Sequence, residues 1–244
     1  MAFGEVTTNT FFIALLLGLV PSLFWLWFWL REDRLHPEPK SMIMLAFLGG
    51  MVATMLAYPL ERAVADIGLT EQQRFMVWVV MEELLKYAAL FFLVLRSPYF
   101  DEPIDAVIYM ITIALGFAAL ENTLFILGPL ASGDQATAMN LTALRFVGAT
   151  LLHVASSALV GIAMSFAYFK VKGHRILFSV SGILAAITLH AIYNLSIVES
   201  SDPSTVYNIF IGLWVSVLGV LLACERIKRL PPRTHLSFPN LKRI

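Results

Sequence analysis

The chain has 244 residues, 59% apolar and 14% charged, with 17 basic against 17 acidic side chains. A soluble domain carries about 25% charged residues, so this composition excludes an ordinary soluble domain; the neutral net charge says nothing about partners, and no nucleic-acid partner is expected. The single cysteine, Cys224, excludes an internal disulfide and a cysteine-rich metal site.

The deficit of charge is concentrated in seven apolar runs, at about 11–30, 41–60, 75–95, 104–127, 141–169, 176–198 and 205–224. Each is long enough to cross a hydrocarbon core of ~30 Å as a helix. The connections are short, so residues 1–244 read as one all-α integral-membrane domain, a polytopic bundle of about seven spans. The first ten residues hold no Lys or Arg, and the run after them is too long for a signal h-region, so no cleavable signal peptide is expected.

In chain order, the first run ends in FWLWFWL, which reads as an interfacial aromatic belt. The third is broken only by Glu82, Glu83 and Lys86 at its centre. The fourth holds Glu121, the fifth Arg145 and His153, and the sixth His190 with Asn194 one turn on. The fifth is too long to lie straight and wholly buried. His36, His174 and His235 fall in loops or the tail and read as solvent histidines.

Basic residues outside the runs alternate from loop to loop. Thirteen fall on one side (Arg31, Arg34, Lys40, Arg96, Lys170, Lys172, Arg175 and six in the tail) and only Arg62 and Arg74 on the other. By the positive-inside rule the N-terminus is expected outside and the C-terminus in the cytoplasm of a multi-pass cell-membrane protein. At 1.5 Å of rise per residue, Glu82, Glu121 and His190 then lie about 9–12 Å below the outer ends of their spans, and His153 at about 18 Å or shallower. One shared site in the outer half of the membrane is the reading that follows.

A charged side chain near a bilayer centre costs about 2.5–3.5 kcal/mol on insertion scales, so such residues mark function. Glu82, Glu83 and Glu121 outnumber Lys86, and the excess matches either shared protons or a divalent cation. A structural ion-pair lock is the bland reading of Glu82, Glu83 and Lys86, and interhelical packing that of Asn194, Ser156 and Ser157.

Four motifs, EELLK at 82–86, FAALEN at 117–122, Arg145 to His153 and HAIYN at 190–194, resemble the PrsW family of intramembrane proteases. The loops DRLHPEP at 33–39 and FDEPIDAVIY at 100–109 do so too. That family belongs to a wider group with the CAAX prenyl endopeptidases and bacteriocin-immunity-type membrane proteins. The resemblance implies cleavage of a membrane protein such as a single-pass anti-sigma factor near the outer leaflet. By matching positions it makes Glu82 the residue that activates water, and His190 and Asn194 the oxyanion donors. Two positions depart: Lys86 follows the paired glutamates more closely, and Glu121 stands where the wider group has a histidine. With His153 as an added imidazole, these departures suggest a Zn2+ site formed by Glu121, His153 and His190.

The expected protein is therefore an intramembrane protease in which Glu82 or Glu83 deprotonates water, Lys86 balances the pair and Asn194 serves the oxyanion. Two rivals stand beside it: an ion-coupled transporter or proton relay, and a non-catalytic binding or immunity protein. The lack of paired Gly/Pro-broken spans in two related halves argues against the transporter.

Overall fold

The computed structural model describes residues 6–34, 36–199 and 202–230, and every regular element among them is helical. The order is α1 Thr8–Trp29, α2 Lys40–Ala65, α3 Glu71–Leu93, α4 Asp105–Ala131, α5 Gln135–Val147, α6 Ala149–Phe166, α7 Lys172–Glu199 and α8 Pro203–Ile227. Among the described residues, six stretches are long and apolar enough to cross a membrane. Those are α1, α2, α4, α5 with α6, α7 and α8. Helix α3 matches them in length, at 23 residues, but Glu82, Glu83 and Lys86 interrupt its apolar character. A reciprocal capping box between Thr70 and Gln73 starts it.

The fifth expected run is bent into α5 and α6 at Gly148, whose ψ is −85°. Hydrogen bonds from Gly148 N to Leu144 O (2.8 Å) and from Leu152 N to Gly148 O (2.9 Å) carry the helix through the bend. A β-carbon at 148 would sit 2.7 Å from both Leu144 O and the Tyr193 hydroxyl, so glycine is what the bend admits. The excess length read from the sequence is thus absorbed by a kink.

Helix α4 is the axis of the bundle. Residues 105–119 are buried without interruption, as a helix apolar on every face requires. Around it pack α1, α2 and α6, while α3 runs beside α2 and α7, and α8 closes against α6 and α7. The approach of α2 to α4 is set by two glycines: a β-carbon on Gly116 would overlap the Phe47 carbonyl oxygen, and one on Gly50 that of Ile113. Small residues at helix crossings bring backbones close enough for van der Waals contact to replace the hydrophobic drive that lipid does not supply.

Side-chain bonds tie the basic loops together at one end of the bundle. Asp33 accepts from Glu38 N (3.2 Å), and Asp105 accepts from the backbone of Asp101 (2.8 Å) and Glu102 (2.7 Å). The Tyr109 hydroxyl donates to Glu38, Ser165 Oγ donates to Pro103 O (2.5 Å), and Lys228 pairs with Glu32 (2.6 Å). Burial pushes the Glu38 carboxyl above the usual carboxylate range. The DRLHPEP and FDEPIDAVIY sequences are therefore the knots that hold α1, α2, α4 and α6 in register. His36 pairs with Glu102 at 2.9 Å in this region, and His174 is exposed. His235, Arg233, Lys242 and Arg243 lie outside the described residues.

The aromatic belt reading is corrected by the helix period. Gly18, Ser22, Trp25 and Trp29 share the buried face of α1, and Trp25 Nε1 donates to Phe146 O at 3.0 Å. Only Trp27 of the three tryptophans is exposed, with the Arg31 guanidinium 3.6 Å above its ring.

Gly116→Val should lower the unfolding free energy by about 1–3 kcal/mol, the usual cost of overpacking. Gly219→Ala, with nothing within 4 Å of the added carbon, should stay within about 0.5 kcal/mol of the parent. Thermal unfolding in detergent compares them, and equal midpoints for the two would contradict the close α2–α4 crossing.

Candidate active site

Glu82, Glu83 and Lys86 occupy the middle of α3, and all three are buried. Glu121 comes from α4, His153 from α6 and His190 from α7. Measured along their helices from the ends opposite the basic loops, Glu82, Glu121 and His190 lie about 14–17 Å deep. The helices run past their apolar segments, so this common level is deeper than the sequence suggested.

Glu83 is sealed, with none of its side chain exposed. Its Oε1 accepts from Lys86 Nζ (2.8 Å), His190 Nδ1 (2.8 Å) and Ser156 Oγ (3.1 Å), and its Oε2 from Ser157 Oγ (3.4 Å). A buried carboxylate without such donors would be strongly unfavourable, and both oxygens of Glu83 accept from the bundle. Ser156 and Ser157, read from the sequence as packing residues, are donors to this carboxylate.

Glu121 is occupied in a different way. Arg145, from the last turn of α5, donates to it, and Arg145 Nε also donates to Asn122 Oδ1 (2.5 Å). Asn122 in turn donates to Thr150 Oγ1 (3.0 Å), which fixes α4 against α6 below the kink. The oxygen that accepts from Arg145, Glu121 Oε2, also lies 3.0 Å from His153 Nε2. Arg145 thus brings the charge balance that the sequence left open, and its guanidinium also covers the Phe125 ring at 4.0 Å.

These bonds fix both imidazoles. His153 donates from Nε2 to Glu121, which leaves the Nδ1 lone pair inward; His190 donates from Nδ1 to Glu83, which leaves Nε2 inward. The rings meet edge to face with centroids 5.0 Å apart. Between them stands Glu82 Oε2, 3.9 Å from His153 Nδ1 and 3.8 Å from His190 Nε2. This oxygen is buried and has no hydrogen-bond partner.

Glu82, His153 and His190 each offer one ligand atom, and the three atoms lie within 4.8 Å of one another. An orphaned carboxylate oxygen facing two imidazole lone pairs, each ring held from behind by a carboxylate, fits a divalent cation. Lys86 Nζ stands 2.9 Å from His153 Nδ1 and 4.4 Å from the Phe117 ring centroid, so a cation and the ammonium contend for that lone pair. Of the sequence-derived ligand set, His153 and His190 face this point, whereas Glu121 sits behind His153 and Glu82 takes the place beside them. Asn194 is half-buried one turn beyond His190 and makes no hydrogen bond among the described residues.

The family model described as PrsW family intramembrane metalloprotease matches residues 38–223, which include every residue of this cluster. The chain belongs to the PrsW family. Among its relatives, Protease PrsW of Geobacillus kaustophilus (strain HTA426) is 27% identical over 209 residues, covering 82% of this chain and 87% of the relative. Protease PrsW of Bacillus subtilis (strain 168) is 28% identical over 193 residues, covering 76% and 83%. That of Clostridioides difficile (strain 630) is 27% identical over 187 residues, covering 73% and 76%. No solved structure shows a significant match. Membership of this protease family, with six helices fit to cross a bilayer, makes the chain a multi-pass membrane protein.

Glu83→Ala should destabilise the protein by about 3–5 kcal/mol, because it removes the 2.8 Å partner of buried Lys86 and leaves only Glu82, at 3.8 Å. Glu83→Leu combined with Lys86→Met should recover much of that loss. Thermal unfolding in detergent reads both, and a Glu83→Ala variant as stable as the parent would contradict the saturated role of this carboxylate.

Proposed function

We propose that this PrsW family member is an intramembrane endopeptidase that hydrolyses a peptide bond of a membrane-associated protein. The supporting observation is Glu82 Oε2, which has no hydrogen-bond partner and faces His153 Nδ1 and His190 Nε2. Glu82 keeps 8% of its side chain exposed whereas Glu83 keeps none. Of the two, Glu82 is therefore the one assigned to take the proton of the attacking water where no ion is held, and to be a ligand where one is. Glu83 is sealed and paired with Lys86 and His190, which disfavours it as the base.

Glu82, His153 and His190 would hold a divalent cation, zinc being the ion this donor set suits, and such an ion lowers the pKa of bound water towards about 7 and polarises a carbonyl. Glu121 and Glu83 keep the two imidazoles in the tautomers that point inward. Lys86 and Arg145 offset two of the three carboxylates, so Glu82 is left as the reactive one. Asn194, one turn above His190 on the same face of α7, donates to the oxyanion that forms on the scissile carbonyl. A metal-free form of the same hydrolysis draws support from Lys86, which stands on the His153 Nδ1 lone pair; there His190 joins Asn194 at the oxyanion.

The thirteen-to-two division of basic residues supports a cytoplasmic basic end, with α3 as a seventh crossing. The reaction centre then lies on the outer side of the membrane's midplane or near it, within reach of a single-pass substrate such as an anti-sigma factor.

Glu82→Gln should reduce cleavage of a single-pass membrane substrate by about 10²–10⁴-fold while leaving the unfolding midpoint unchanged. His153→Ala and His190→Ala should each lose a stoichiometric metal, and a chelator should inhibit the parent reversibly. Near-normal cleavage by Glu82→Gln would sink the assignment of the base, and active protein free of metal would leave only the metal-free form. For orientation, a cysteine replacing Ser132 in a Cys224→Ser background should react with an impermeant thiol reagent on intact cells, and one replacing Lys170 should not. The reverse pattern would invert the topology.

A further inference from the structure

A second recess opens at the basic end of the bundle. It is a cavity of about 340 Å³ between α3, the end of α6 and the start of α7. Its walls are apolar, with Tyr87 and Phe91 on one side and Ile176 and Ile183 on the other. Lys172 and Arg175 line its mouth, and no acidic residue lines any part of it.

We infer that this cavity binds one anionic glycerophospholipid from the leaflet that faces the basic loops, its phosphate on Lys172 and Arg175 and an acyl chain between α3 and α7. Three observations carry this. First, the basic pair is uncommitted: neither residue forms an ion pair among the described residues, whereas Lys228 at the same end holds both Glu32 and Glu225. Second, α7 begins at Lys172 with no acidic residue in its first turn, so the positive end of a 28-residue helix adds to the pair.

Third, the length of the recess suits an acyl chain. From Arg175 to Ile183 the recess follows α7 for about 12 Å of rise, most of the ~15 Å depth of one leaflet. Basic pockets between helices on the cytoplasmic side are where anionic headgroups bind.

The site does not depend on the proteolytic reading. It borders that centre, because Tyr87 follows Lys86 in α3 and Ile183 lies two turns from His190 in α7. A bound chain would wedge the seam whose upper part is closed by the Glu83–His190 hydrogen bond.

Native mass spectrometry of the full chain, released from detergent with added dioleoyl phosphatidylglycerol or dioleoyl phosphatidylcholine, tests the inference. The parent should retain the anionic lipid at concentrations where it does not retain the zwitterionic one. Lys172→Gln with Arg175→Gln should weaken phosphatidylglycerol retention by about 30-fold. Lys170→Gln, which removes a neighbouring exposed charge outside the cavity, should leave it unchanged. Ile183→Trp should reduce retention of the lipid by filling the chain end of the recess. Unfolding midpoints without added lipid establish that each variant is folded. Equal retention of the two lipids by the parent would overturn the inference, as would an unaltered preference in the double variant or an equal loss in Lys170→Gln.

Discussion

Glu83 is a carboxylate carried into a bundle where water cannot follow, and the architecture of the centre answers that one constraint. An isolated ion there would cost far more than a domain can supply. The donors that meet it come from three helices: Lys86 from α3 itself, Ser156 and Ser157 from α6, and His190 from α7. Satisfying Glu83 therefore fixes the rotation of α6 and α7 about their own axes, and with it the direction of both imidazoles. A slip of one residue in any of these helices would turn a donor away by about 100° and strand the charge.

The reactive character of the neighbouring glutamate follows from the same arrangement. With Lys86 and the serines engaged by Glu83 and Arg145 engaged by Glu121, nothing remains to bond Glu82 Oε2. Its isolation is a consequence of how the other two carboxylates are satisfied. The glycine crossing of α2 and α4 and the kink at Gly148 are the backbone conditions for this, since the first draws the helices together and the second brings Arg145 over Glu121.

Much of this was legible in the sequence, for reasons that can be named. Ionisable residues within long apolar runs are conspicuous, so Glu82, Glu83, Lys86, Glu121, His153 and His190 could be picked out and placed at one level by counting helical rise. Helix length announced the bend in the fifth run. The direction of individual side chains was not legible. Glu121 and Glu82 lie on different helices at similar depth, and only the position of Arg145 after the kink shows that Glu121 is held behind His153 while Glu82 faces the gap. Trp25 and Trp29 were misread for a related reason, because an aromatic cluster looks interfacial until the glycine and serine on the same face of α1 show that it is buried. Asn194 stays one turn from the cluster, since its role depends on a substrate carbonyl that the protein alone does not supply.

The convergence of Glu82 with the two histidines is tested most directly by cobalt(II) titration of the purified protein, read by its visible absorption. The account predicts one ion bound by two nitrogens and a carboxylate, a spectrum abolished by Glu82→Gln, and weaker binding with an unchanged band shape in Glu121→Gln. A spectrum that survives Glu82→Gln and disappears in Glu121→Gln would contradict it.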